Sequence, residues 1–216
     1  PFNQGSNGPG VDGGAGNPQN PIGGYVTAYL WETVLQKDSF LDILQKFISY
    51  QKEVKKTTLP DGKVRTDTAE KIIFPRYHQL DVVRKLVHHT REHGPGHNYL
   101  IQHSAGSGKS NSIAWTAYRL ASLHDDENRA IYNSVIIVTD RKVLDSQLQD
   151  TIDSFDHTLG SVVLIDEKKS SKDLLKAVND GKRIIVTTLQ KFPVIYDLVG
   201  DTTGKAFAVI VDEAHS

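Results

Sequence analysis

Five consecutive residues, Gly106-Ser107-Gly108-Lys109-Ser110, combine two glycines, a fixed cation and a hydroxyl. Glycine admits positive φ, so successive N–H groups can line a concavity that holds an anion at a helix N-terminus. The lysine then reaches the terminal phosphates of a nucleoside triphosphate, and the serine hydroxyl reaches the Mg²⁺ that bridges them. The stretch 103–110 has His103 where the full pattern Gly-x-x-x-x-Gly-Lys-Ser opens with glycine, so its first turn is expected to be shaped differently. Far downstream, Asp212-Glu213-Ala214-His215 directly follows an apolar run. Asp212 is placed to hold Mg²⁺ through its shell, and Glu213 to orient or deprotonate an attacking water. Lys109, Asp212 and Glu213 are therefore the candidate catalytic residues. Gly106, Ser107, Gly108, Lys109 and Ser110 are the candidate phosphate ligands, and Ser110 and Asp212 the candidate Mg²⁺ ligands.

These groups need elements to position them. Residues 98–102 read as a short buried strand entering the loop, and Ile113, Ala117, Leu120 and Ala121 recur at helical spacing after it. Upstream, Leu80, Val83 and Val87 mark another helix. Apolar runs at 134–139, 162–165, 183–187 and 206–211 alternate with helices expected over 142–153 and 171–179. With the loop strand they make five continuous apolar strands, the pattern of a parallel sheet covered by helices on both faces. Such sheets collect ligand loops at the C-terminal ends of their strands.

The front of the chain differs. Residues 1–24 contain eight glycines and four prolines, a density that sustains neither helix nor strand and reads as a connector. Over 25–48 the pattern is that of two short helices, with Asp38-Ser39 expected as an N-cap between them. Residues 48–74 read as a β-hairpin turning at 59–63. The stretch 46–76 carries eight basic residues against four acidic ones, a surplus able to meet phosphates or simply to face solvent.

Bulk properties set outer bounds. A formal net charge of −1 gives no global case for nucleic acid, so any such contact must come from a local patch. With no cysteine there are neither disulfides nor thiolate metal sites, which fits a reducing cytoplasm. No long apolar run or leader-like segment appears, so a soluble protein without a membrane span is expected. The absence of methionine, with Pro1 first, reads as a piece of a longer chain.

The two chemical motifs together resemble those of superfamily 2 helicases and translocases. The strings Pro75-Arg76-Tyr77-His78-Gln79, Ile101-Gln102-His103-Ser104-Ala105-Gly106, Val138-Thr139-Asp140-Arg141-Lys142-Val143-Leu144-Asp145 and Thr187-Thr188-Leu189-Gln190-Lys191-Phe192 resemble, more closely, the restriction (R) subunit of type I restriction–modification enzymes. The likeness includes His103 in place of the first glycine, and it runs across essentially the whole chain. It implies a RecA-like P-loop domain over 75–216, incomplete at its C-terminus. In front would stand a glycine-rich tail of a nuclease domain at 1–24 and linker helices with a hairpin at 25–74. It implies ATP and Mg²⁺ as cofactors and double-stranded DNA as partner, with the methylation and specificity subunits of a restriction complex alongside. By resemblance Gln79 reads adenine, whose N6 and N7 edge suits an amide, and Arg76 or Tyr77 stacks on the base. Thr139, Arg141, Thr188, Gln190 and Lys191 are implied to grip the DNA backbone, a contact that is independent of sequence and sensitive to salt. A second motor domain would supply an arginine finger, so the piece alone is expected to hydrolyse ATP poorly.

Two patterns are set aside. Glu167-Lys168-Lys169 matches a nuclease Glu-x-Lys literally but falls in a loop between α/β elements. His88, His89, His93, His97 and His103 are spaced densely enough to suggest a metal site, but the helix ends near His93-Gly94-Pro95, where histidine suits the negative dipole end. A generic helicase-like ATPase, a non-hydrolysing nucleotide-gated module and a small-molecule kinase are the rival readings. Gln79 and Thr187-Thr188-Leu189-Gln190 weigh against the kinase.

Overall fold

The computed structural model describes residues 24, 25, 27–58, 64–104, 106–139, 148, 151, 152, 155, 161–165, 169–191 and 204–214. Nearly all of the glycine-rich connector, the hairpin turn, most of the expected helix at 142–153, Arg141, Glu167, Lys168 and His215 lie outside them. The chain divides into two compact units, Pro1–Leu80 and Asp81–Ser216.

In the first unit a single π-helical turn, Leu30–Val34, precedes helix α1, Lys37–Lys46. Two helical segments were expected there, but the cap is not where the sequence placed it. Gln36 holds the N-cap position, and Asp38 sits inside the first turn. A carboxylate there still meets the positive helix end, which is why its residue type marks a helix start without fixing the cap position. Strands β1, Ser49–Thr58, and β2, Val64–Ile73, pair antiparallel in the expected hairpin, with Ser49 opposite Ile73. Helix α2, Tyr77–His93, begins in this unit, and its first turn carries Gln79 and Leu80, both buried.

The second unit contains the parallel sheet. Its strands are β3, Ser134–Thr139, β4, Val162–Leu164, β5, Ile184–Thr188, and β6, Phe207–Val211. They lie in the order β4-β5-β3-β6, all parallel. Every residue of β3 and β5 is buried. Neighbouring residues of a strand point to opposite faces, so uninterrupted burial means that both faces are covered. Helix α3, Lys109–Ala121, and helix α4, Ser171–Asn179, flank the sheet. Leu174, Ala177 and Val178 of α4 pack with Ile165 and Ile185 in one buried cluster. Trp115 of α3 meets Phe155 edge-on at 5.7 Å, and the hydroxyl of Tyr118 donates to the carbonyl of Ile152 at 2.8 Å. Leu148, Ile152 and Phe155 are all buried, and the contacts of Ile152 and Phe155 are with α3.

The expected loop strand is absent: residues 98–102 form no strand, and Leu100 is 92% exposed. The sheet therefore has four strands among the described residues, not five. A short apolar run records a tendency to be buried, but a strand exists only where a neighbour's edge takes up its hydrogen bonds. Among the described residues β6 pairs with β3 alone, and its Val209 and Val211 are about half exposed.

Candidate active site

The phosphate loop owes its shape to its glycines. Gly106 has φ +70° and Gly108 φ +85°, both in the left-handed region, and Gly108 is the N-cap of α3. The amide of Ser107 donates to the carbonyl of Ser104 at 3.2 Å. Ser107 is buried, and its hydroxyl lies 3.0 Å from Nδ1 of His103. His103 thus braces the loop from the position where the full pattern has glycine. Lys109 and Ser110 follow in the first turn of α3, at the positive end of the helix.

The acidic residues arrive from β6. The amide of Asp212 donates to the carbonyl of Val138 at 2.9 Å, extending the β3–β6 ladder past its last pair. Asp212 Oδ1 then accepts from the amide of Glu213 at 3.0 Å. Glu213 has φ +55°, a conformation rare for a residue with a Cβ and found where surroundings hold it against strain.

Loop and acids meet through one cation. Lys109 Nζ lies 3.1 Å from Asp212 Oδ1 and donates to Glu213 Oε1. Burial works against the lysine's charge, but hydrogen bonds to Glu213 and Asp212 and their negative charge outweigh it, holding its pKa above the usual lysine value. Beside the acids is a cleft of about 260 Å³ between the ends of β3 and β6, lined in part by Thr139, Leu189, Asp212 and Glu213. The donors suit Mg²⁺: the partly buried Asp212 carboxylate and the Ser110 hydroxyl are hard oxygen ligands, and left-handed glycines turn amides toward an anion.

The remaining candidates are placed as follows. Thr139 and Thr188 end β3 and β5, and each is only 3% exposed. The amide of Leu189 donates to the carbonyl of Thr139 at 2.8 Å, and that of Lys191 to the carbonyl of Thr188 at 3.1 Å, which folds 188–191 into a turn. Gln190 is exposed at this turn, and Lys191 Nζ donates to the carbonyl of Lys169 at 2.8 Å. In the first unit, Arg76 is exposed, while Tyr77 meets Tyr29 edge-on at 6.4 Å. Gln79 is buried and its Oε1 accepts from the Arg76 amide at 2.8 Å, the backward half of a capping box. At the other end of α2, Nδ1 of His93 lies 3.1 Å from the His89 carbonyl, and Gly94 takes φ +73°. His93 thus meets a carbonyl of the last helical turn, while Nδ1 of His89 lies 2.9 Å from the Tyr99 hydroxyl.

Sequence reasoning did not find that Thr139 faces the acidic cleft. The only available signal was its place at the end of a strand neighbouring the acidic one.

Comparison with known proteins agrees with the geometry. The family model described as SWI2/SNF2 ATPase matches residues 78–216. The chain is 32% identical over 129 residues to the type I restriction enzyme SsaAORF53P endonuclease subunit of Staphylococcus saprophyticus, covering 59% of this chain and 12% of that protein. It is 27% identical over 191 residues to the HindI endonuclease subunit of Haemophilus influenzae, covering 84% of this chain and 16% of that one. The SauCOLORF180P endonuclease subunit of Staphylococcus aureus is 31% identical over 126 residues, 58% of this chain and 12% of the relative. The chain thus spans a small part of the length of these relatives. Among the described residues no helix is long and apolar enough to cross a membrane.

Proposed function

This chain belongs to the SWI2/SNF2 ATPase family, and we propose that it is the ATP-hydrolysing part of a type I restriction endonuclease subunit, a motor that moves along double-stranded DNA. The observation that carries this reading is the junction of Lys109 with Asp212 and Glu213, which joins a phosphate loop to a metal-holding acid and a candidate base.

The chemistry follows from the residues. Amides at 106–110 receive the β- and γ-phosphates, and Lys109 exchanges its bond to Glu213 for a phosphate oxygen. Ser110 and Asp212 would hold Mg²⁺, which when bound neutralises charge between the β- and γ-phosphates. Release of Lys109 frees the Glu213 carboxylate to take a proton from water as the water oxygen bonds to the γ-phosphorus. The bond from that phosphorus to the bridging oxygen breaks, and its electron pair leaves with ADP. Gln79 with Arg76 or Tyr77 receives the adenine, and Arg141, Gln190 and Lys191 meet the DNA backbone. Residues 75–216 form the first motor domain, preceded by the linker at 25–74 and the connector at 1–24. The motor works in the cytoplasm beside methylation and specificity subunits. Its relatives' description as endonuclease subunits supports this assignment.

The test is Glu213→Gln in the complete subunit. ATP binding is retained while DNA-stimulated hydrolysis falls by about 10²-fold or more, the scale of a lost general base. A variant that hydrolysed ATP normally would remove Glu213 from the chemistry and leave the motor reading without its base.

A further inference from the structure

Among the described residues two buried threonine hydroxyls of the central strands have no hydrogen-bond partner, Oγ1 of Thr139 at the end of β3 and Oγ1 of Thr187, one residue before the end of β5. Burying a hydroxyl without a partner costs stability, so each requires a reason. Their surroundings differ. Thr187 is fully buried in the strand interior, whereas Thr139 lines the cleft that also contains Asp212 and Glu213. That cleft is polar on its acidic side and, at about 260 Å³, roomy enough for several waters.

The resemblance implied that Thr139 touches a DNA phosphate. At 3% exposure it presents almost nothing to a partner as large as a duplex, and its carbonyl is already bonded to the Leu189 amide. A small molecule admitted between β3 and the turn at 212–214 is what reaches it. We propose that Thr139 is a positioning residue of the hydrolytic site, its hydroxyl held by a water in the acidic cleft that it orients beside Glu213. This rests on the ATPase reading above. Lys109 occupies the Glu213 carboxylate until a phosphate draws it away, and the water then bonds to Thr139 on one side and gives its proton to Glu213 on the other. Thr139 itself exchanges no proton. The water oxygen goes to the γ-phosphorus, and the bridging oxygen leaves with ADP as before.

The experiment compares Thr139→Val, Thr139→Ser and Thr187→Val in the complete subunit, measuring DNA-stimulated ATP hydrolysis, melting midpoint and the salt dependence of DNA binding. Valine keeps the shape and removes the hydroxyl. Thr139→Val is expected to lower kcat about tenfold, the worth of one hydrogen bond made in the transition state, with KM for ATP unchanged. Its melting midpoint should equal or exceed that of the parent, because the variant removes a buried hydroxyl that bonds to no described protein group. Thr139→Ser restores turnover, and Thr187→Val raises or keeps the midpoint with kcat unaltered. Normal turnover in Thr139→Val overturns the assignment, as does a fall in its midpoint, which would reveal a structural partner. A loss of DNA affinity with a shallower salt slope overturns it in favour of a phosphate contact. A parent subunit that hydrolyses no ATP in the presence of DNA sinks the ATPase reading and this assignment with it.

Discussion

Lys109 donates to Oε1 of Glu213 across 104 positions of the chain, and the same ammonium lies 3.1 Å from Oδ1 of Asp212. One cation is therefore shared by two adjacent acids at the end of β6, and the loop at the start of α3 is joined to the sheet through it. Under the proposed mechanism, a phosphate that takes Lys109 also exposes the pair of carboxylates, so binding of the triphosphate and arming of the proposed base would be a single exchange.

The link between Lys109 and the acids has a pH signature. The folded-state pKa of this lysine lies above its ordinary 10.5, so its contribution is complete below 10.5 and fades as pH rises through the folded value. The side chain is 37% exposed and screened by solvent, so the effect is small. The melting midpoint of the parent should exceed that of Lys109→Met by a constant margin from about pH 7 to pH 10, and the margin should narrow above the unfolded value. A margin unchanged up to pH 11.5 would falsify the pairing as a source of stability.

Gly106 tests the loop backbone free of steric conflict. A Cβ built at this position meets no atom within 4 Å, yet φ is +70°, so alanine suffers conformational strain alone. Gly106→Ala should destabilise by about 1–2 kcal/mol or force the loop to another shape, and either result weakens ATP binding. Gly106→Asn, which tolerates the left-handed region better, should keep more of both. Equal loss in the two variants, by denaturation and by binding of a fluorescent ATP analogue, would show that the side chain and not φ is at fault.

Much of this was legible in the sequence because burial on both faces writes itself as uninterrupted apolar residues. The runs that became β3, β5 and β6 were found within a residue of their ends, and α4 at its observed span. The segment 98–102 looked the same to that criterion but has no paired edge, a fact that belongs to its neighbour and not to its own composition. Polar residues at strand ends carry a second limit. The resemblance implies DNA-backbone contacts at Thr139 and Thr188, yet β3 and β5 stay buried to their last residues, and residue type does not report direction. Gln79 shows a related limit, since a glutamine at the third position of a helix serves capping equally well. The acids were easier, because Asp-Glu following a strand must emerge at its C-terminal end.

Trp115 anchors α3 and is only 1% exposed. Its ring meets Phe155 at 5.7 Å, so truncation removes both apolar burial and an edge-on aromatic contact. Trp115→Ala should cost about 3–5 kcal/mol, enough to loosen the helix that carries Lys109 and Ser110. Trp115→Phe should cost less. Proteolysis at low protease concentration reads the difference, and a resistant alanine variant would mean that the cavity collapses without loss.

Gln190 and Lys191 sit on the turn after β5, which the bond from the Leu189 amide to the Thr139 carbonyl fixes to the end of β3. Gln190 is exposed there, and the Lys191 ammonium is held at the Lys169 carbonyl, a fixed position for a cation. If the turn meets a DNA phosphate, Lys191→Ala should weaken binding of the complete subunit to duplexes of unrelated sequence by a similar factor. The slope of log K against log salt should become shallower by about 0.9, the counterion equivalent of one phosphate contact. Gln190→Ala removes no charge, so it should weaken binding without altering the slope. An unchanged slope in Lys191→Ala would move the DNA track away from this turn, and ATP hydrolysis measured without DNA should be the same in both variants.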